Sequence, residues 1–241
     1  MLYLIIAKKF FGGGRLEMKY KNVLRGTFID RPNRFIARVE LDGRTETVHV
    51  KNTGRLGELL IPGAEVWLTE PGTPGRKTRY DLVAVRKANG VLFNIDSQAA
   101  NAVVSEWLVR RGFDRVVPEY RFGDSRIDFY MEKDAEKHLL EVKGCTLERD
   151  GVGWFPDAPT ERGVKHLKEL TAAARIGYRS AVAFVIQMDG VTEVRANVLT
   201  HPEFGAALAE AETAGVRVLF LSCHVEPDGL YITEKREKER A

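Results

Sequence analysis

The sequence predicts an α+β protein in two parts: a small closed β-barrel, then an α/β half built on a mixed sheet flanked by helices. Three observations predict it. Residues 20–88 consist of short β-forming runs cut by Gly and Pro turns. After Asn89-Gly90, apolar residues recur at helical spacing, and those stretches alternate with apolar strands. The 241 residues are 44% hydrophobic and 29% charged, which supports buried cores and argues against disorder.

The expected strands of the first part are Val23–Ile29, Phe35–Leu41, Arg44–Val50, Glu65–Leu68 and Tyr80–Arg86. Asp42-Gly43 is a hairpin turn between the second and third. Gly54, Gly57, Pro62-Gly63 and the Pro71–Gly75 stretch punctuate the others. So few short strands cannot form a broad sandwich, so residues 19–89 are expected to close as an OB-fold-like barrel, with an SH3-like barrel as the alternative. In the second part, 90–233, Ser97–Arg111 reads as a helix because Ala99, Ala100, Val103, Val104, Trp107 and Leu108 share a face. Strands follow at Val116–Arg121, Arg126–Met131 and His138–Cys145. Thr160 can cap a second helix to Arg175, with Gly163 a weak point inside it. Ser180–Gln187 is apolar enough for a central strand, Glu203–Ala214 is a third helix, and Val216–Leu221 a last strand. Residues 1–18 read as an extension, with Met18 the expected natural start, and 234–241 as a charged, frayed tail.

The formal charge is only +3, so a nucleic-acid partner has to be argued from where the charges lie. Two cysteines, Cys145 and Cys223, make no disulfide framework. No apolar run approaches a membrane span, and the Leu2–Ala7 run is too short for a signal core. A cytoplasmic location without membrane attachment is therefore expected. Gly12-Gly13-Gly14 lacks the lysine and helix of a phosphate loop, and Cys223-His224 has no second pair at zinc spacing. Cys145 reads as a small packed residue. No organic cofactor is expected, and no aromatic platform suggests a sugar site.

Three residues carry the chemistry: Asp128 in Ser-Arg-Ile-Asp-Phe, and Glu141 and Lys143 in Leu-Leu-Glu-Val-Lys-Gly. Glu141 and Lys143 are two apart on an apolar strand, so they leave the same face. Lys133–Lys137 is a polar turn, and if Asp128 faces Glu141 the hairpin is centred between Asp134 and Ala135. Two carboxylates side by side repel and favour a divalent cation, Mg2+ or Mn2+, with the Val142 carbonyl as a further ligand. Lys143 would then act on a phosphate. Glu106, on the first helix, is either a further carboxylate of the site or an ordinary exposed residue. The alternative for the whole group is a structural ion-pair network. Arg162, Lys165 and His166 fall at i, i+3 and i+4 and share a face that can meet phosphate. In the barrel, Arg31, Arg34, Arg38, Lys51 and Arg55 cluster near Phe28 and Phe35, as suits backbone tracking with base stacking, although both aromatics read better as core.

The order helix, strand, Asp-bearing strand, Glu-x-Lys strand, helix resembles the PD-(D/E)XK nuclease core, with Ile127 where a proline would precede the aspartate. The set Arg31-Pro32-Asn33-Arg34-Phe35, Asn52-Thr53-Gly54, Ser125–Phe129, Glu141-Val142-Lys143 and Thr160–Gly163 is similar to the sugar fermentation stimulation protein (SfsA) family, over about residues 20–232. That resemblance implies an OB-like domain followed by a PD-(D/E)XK-like domain, largely sequence-nonspecific DNA as the partner, and Asp128, Glu141 and Lys143 as the nuclease-type motif. Arg126, two residues before Asp128, is also expected among the DNA contacts. It leaves open a Mg/Mn-dependent deoxyribonuclease or a non-catalytic regulator of maltose metabolism. A homodimer also stays open.

Overall fold

The computed structural model describes residues 18–72 and 74–239. The proposed extension before Met18 lies outside them, while Met18–Lys19 forms a short strand, β1. The barrel strands are β2 (Val23–Asn33), β3 (Ile36–Leu41), β4 (Arg44–Val50), β5 (Glu65–Thr69), β6 (Asp81–Arg86) and β7 (Leu92–Asn94), hydrogen-bonded in the order β4-β3-β2-β5-β6-β7. A parallel pairing of β4 with β6, through His49–Asp81 and Val50–Leu82, closes β2 to β6 into the expected OB barrel. In β3 burial alternates residue by residue, with Ala37, Val39 and Leu41 inside. Asp42 and Gly43 both take positive φ, 50° and 74°, as a tight hairpin turn requires. β7 extends the sheet beyond the expected boundary at residue 89.

The second part consists of α1 (Ser97–Val109), β8 (Arg115–Phe122), β9 (Ser125–Lys133), β10 (Glu136–Cys145), β11 (Leu147–Arg149), β12 (Val152–Phe155), α2 (Glu161–Arg175), β13 (Arg179–Ile186), β14 (Val194–Ala196), α3 (Pro202–Thr213), β15 (Arg217–Glu226) and β16 (Gly229–Glu237). The main sheet runs β1-β16-β15-β13-β10-β9-β8, with β10, β13 and β15 parallel and the rest antiparallel. It is mixed, as expected. β11, β12 and β14 form a separate small sheet. α1 packs on the face that carries Leu140, Ala183 and Leu219, and α2 and α3 pack on the face that carries Val182, Phe184 and Phe220. The charged tail is not frayed through Glu237: residues 234–237 pair with β15, because the β15 edge offers backbone partners that a charge pattern does not reveal.

Gly163 is no weak point. Thr160 caps α2 by accepting the Gly163 N–H at 3.1 Å, and a Cβ at Gly163 would sit 2.8 Å from Thr160 Cγ2. The close approach of cap to helix requires the glycine.

The two parts are fastened to each other. Lys51 Nζ reaches Asp96 at 2.7 Å, Asn52 Nδ2 donates to the Ile95 carbonyl at 3.0 Å, and Ser97 Oγ donates to the Lys51 carbonyl. On another side, Asp157 Oδ2 accepts the Leu56 N–H at 2.8 Å.

Candidate functional site

The β9–β10 hairpin turns at Asp134-Ala135, both at positive φ, and pairs Glu136 with Lys133 through to Leu140 with Phe129. That is the expected register, which carried one step further would set Asp128 opposite Glu141. There the ladder ends. Asp128 Oδ2 accepts the Val142 N–H at 2.7 Å and Oδ1 accepts from Asn101 Nδ2 at 2.8 Å. A carboxylate pinned from two sides in this way is held in one orientation.

Glu141 is 2% exposed. Its Oε1 accepts from Lys143 Nζ at 2.6 Å and is in contact with His166 Nδ1 from α2. Its Oε2 is buried and has no hydrogen-bond partner among the described residues. The electrostatics of the two acids differ. Burial raises the Asp128 carboxyl above the ordinary aspartate value, and the Glu141 charge adds to the rise. Burial also works to raise Glu141, but the His166 hydrogen bond and the Lys143 charge outweigh it and hold that carboxyl low. Among the described residues, no three His, Cys, Asp or Glu side chains gather as a complete metal cage. Two carboxylates with room for water and phosphate oxygens fit the incomplete protein shell that magnesium accepts.

These groups form the floor of a cleft of about 350 Å³ between the two parts. α1 contributes Ser97 and Asn101, the barrel side contributes Arg34, Asn52, Thr53 and Gly54, the segment after β12 contributes Asp157, and α2 contributes Arg162. Gly54 is needed here, because a Cβ on it would meet Asp157 Oδ2 at 2.8 Å. Asn101, Asp157, Gln187 and Trp154 carried no motif in the sequence, and Asn52 stood in the Asn52-Thr53-Gly54 triplet with no role assigned to it. Their place depends on how distant segments pack.

Several expected site residues are placed otherwise. Glu106 does not line the cleft: five positions beyond Asn101, it is turned about 140° around α1. Arg31 donates to the carbonyls of Gly54, Arg55, Arg34 and Asn52 at 2.7–2.9 Å, so its guanidinium builds the loop and does not face phosphate. Arg38 is paired with Asp30, and Lys51 with Asp96 and Asp81. His166 does meet Arg162, whose Nε donates to its Nε2 at 3.4 Å, and both line the cleft, but His166 is not exposed with Arg162 and Lys165. It is 4% exposed because the helix turns it under β10 toward Glu141. Arg34, Arg55, Arg126, Arg162 and Lys165 are exposed, and Arg34 and Arg162 line the cleft.

Cys145 is 1% exposed, and burial pushes its thiol up to about 12. The native protein is expected to resist iodoacetamide at Cys145 at neutral pH and to react once unfolded. Stoichiometric native labelling of Cys145, read by peptide mass spectrometry, would contradict that burial.

Comparison with known proteins agrees with the architecture. A family model described as the sugar fermentation stimulation protein RE domain matches residues 97–229, and one described as the SfsA N-terminal OB domain matches residues 29–95. A sugar fermentation stimulation protein homolog of Desulfitobacterium hafniense is 51% identical over 216 residues, covering 88% of this chain and 94% of that protein. One from Clostridium beijerinckii is 48% identical over 221 residues, covering 90% and 97%. Among solved structures, Pyrococcus furiosus SfsA in complex with Ca2+ is 29% identical and superposes with a TM-score of 0.82 over 92% of this chain and 98% of that one.

Proposed function

The chain belongs to the sugar fermentation stimulation protein family, and from that premise we propose that it binds DNA with little sequence preference and hydrolyses phosphodiesters at a divalent-metal centre on Asp128 and Glu141. One observation carries the reading: Glu141 Oε2 is buried and unpartnered beside a second carboxylate, with a lysine on the other oxygen of the same glutamate. A buried anion left short of partners is costly, and a cation would relieve it. The Ca2+ bound by the Pyrococcus furiosus relative supports a divalent ion on this fold.

Asp128, Glu141 and the Val142 carbonyl would hold magnesium or manganese. Such an ion supplies positive charge against the phosphodiester and makes a water more acidic. The chain's own groups do the remaining work. Asn101 and the Val142 N–H fix the Asp128 carboxylate. His166 fixes Glu141 from beneath and leaves Lys143, whose side chain is 13% exposed, free to swing toward an oxygen of the bound phosphate. Arg34 and Arg162 bring the DNA backbone to the cleft from the two domains.

The test is incubation of plasmid, linear duplex and single-stranded DNA with magnesium or manganese, with Lys143→Ala in parallel. Cleavage of at least one of these substrates is expected, and its rate in the variant should fall by about 10² or more. Binding without cleavage under every condition would assign the protein to the non-catalytic, regulatory alternative. DNA affinity itself should fall steeply with salt, because Arg34, Arg162 and their neighbours displace counterions. A flat dependence in fluorescence anisotropy would remove the phosphate contacts.

A further inference from the structure

We infer that the cleft takes a single strand, or the unpaired end of a duplex, and excludes base-paired DNA; this rests on the phosphodiesterase reading above. The acids sit on a floor, not on a rim. Glu141 is 2% exposed and its neighbour Lys143 keeps 13% of its side chain exposed. The space over them, about 350 Å³, is at the lower end of pockets that hold one small ligand, about 300–1,000 Å³. Duplex DNA is stiff and holds its phosphates on two paired strands, so it offers a phosphate only by lying across the mouth of the cleft, above the buried acids. An unpaired strand can enter, because its backbone bends nucleotide by nucleotide.

The walls are not free to part. The Leu56 N–H to Asp157 bond of 2.8 Å, the Asn52 to Ile95 carbonyl bond of 3.0 Å and the Ser97 to Lys51 carbonyl bond tie the barrel side to the sheet side around the cleft.

The lining also suits an unpaired nucleotide. Trp154 lines the cleft, and its Nε1 is buried without a hydrogen-bond partner among the described residues. An indole stacks on any base, without regard to sequence. The amides that would read base edges are already engaged: Asn52 with Ile95 and Gly54, Asn101 with Asp128, and Gln187 with Asn94 and the Asp96 carbonyl. Strand form is therefore selected and sequence is not.

Two readouts keep this inference apart from the catalytic reading. Anisotropy without added metal compares one sequence as a single strand, a blunt duplex and a duplex with a splayed end. Cleavage of the same three is then followed in manganese. The single strand and splayed end are expected to bind, and to be cut, at least about tenfold better than the blunt duplex, because they avoid the cost of unpairing. Trp154→Ala should lose that preference while remaining folded, and Trp154→Phe, which keeps more of the packing, should restore it. Equal binding of duplex and single strand, or a preference unchanged in Trp154→Ala, would overturn the inference and leave the metal centre standing. A single-strand binding preference with no cleavage of any substrate would sustain it while sinking the catalytic reading.

Discussion

Glu141→Gln is expected to give a folded protein that binds neither magnesium nor manganese. Glutamine keeps the shape of the side chain, so no cavity opens between β10 and α2. What it removes is the charge. In the natural protein two carboxylates face one ammonium, and Oε2 of Glu141 lacks a donor. In the variant Asp128 alone faces Lys143, the two neutralise each other, and no excess negative charge remains for a dication. Some stability should also go, about 2 kcal/mol, because Lys143 and His166 lose the carboxylate they both engage. Titration calorimetry measures the first effect and circular dichroism the second. Metal affinity within about twofold of the natural protein, in a folded variant, would refute the assignment of Glu141.

Arg31→Ala is expected to be the most destabilising substitution of a surface-region cation in the barrel. One guanidinium gathers the carbonyls of Gly54, Arg55, Arg34 and Asn52, and without it these acceptors lose their charged donor. Hydrogen bonds from a charged donor contribute about 1.5–3 kcal/mol each when deleted singly, and are far from additive when one side chain makes all of them. A loss of about 3 kcal/mol in total follows, a drop of about 6–12 °C for a chain of this size. Arg31→Lys should recover little, because an ammonium cannot span carbonyls on both sides of the loop. By contrast Arg34→Ala, which removes a cleft-lining cation, should weaken DNA binding with little thermal effect. If thermal scans rank the two the other way round, the structural role of Arg31 is wrong.

These two expectations separate what could be read along the chain from what could not. The placement of Asp128 against Glu141 is local. Strand periodicity fixes which face Glu141 and Lys143 share, and the turn at Asp134-Ala135 fixes the register without reference to the rest of the molecule. The barrel was legible for the same reason: its turns are punctuated by Gly and Pro, and β3 alternates buried and exposed residues between them. In the small sheet, β14 was not legible, because a strand of three residues gains its identity from β12, far back along the chain, whereas β11 and β12 pair locally across the Asp150-Gly151 turn, a hairpin signal that the expected strands left out. β16 was hidden by its own charge, since the Glu234–Glu237 stretch has no apolar pattern and is ordered by backbone bonds to β15.

The basic residues teach the same lesson. Arg31, Arg34, Arg38 and Lys51 look alike in the sequence, all cations near aromatic strands. Their fates differ because a cation takes the nearest carboxylate or carbonyl, and nearness across the chain is a tertiary property. Asp30 claims Arg38, Asp96 claims Lys51, and the loop at residues 52–55 claims Arg31. His166 was expected to accompany Arg162 outward, since helical spacing gives i and i+4 one face. The face is wide, however, and the packing of α2 against β10 draws its inner edge under Glu141.

Sequence by itself therefore determined the two-part architecture, the hairpin that brings Asp128 to Glu141, and the pairing of acid and lysine on one strand, because each depends on contacts within a few residues and on the period of two. Only the tertiary structure decided which cations face the cleft, that Asn101 and His166 hold the two acids, and that the barrel forms one side of the cleft over them. Those outcomes depend on contacts between segments tens of residues apart, where side-chain type states what a group can bond and packing states what it meets.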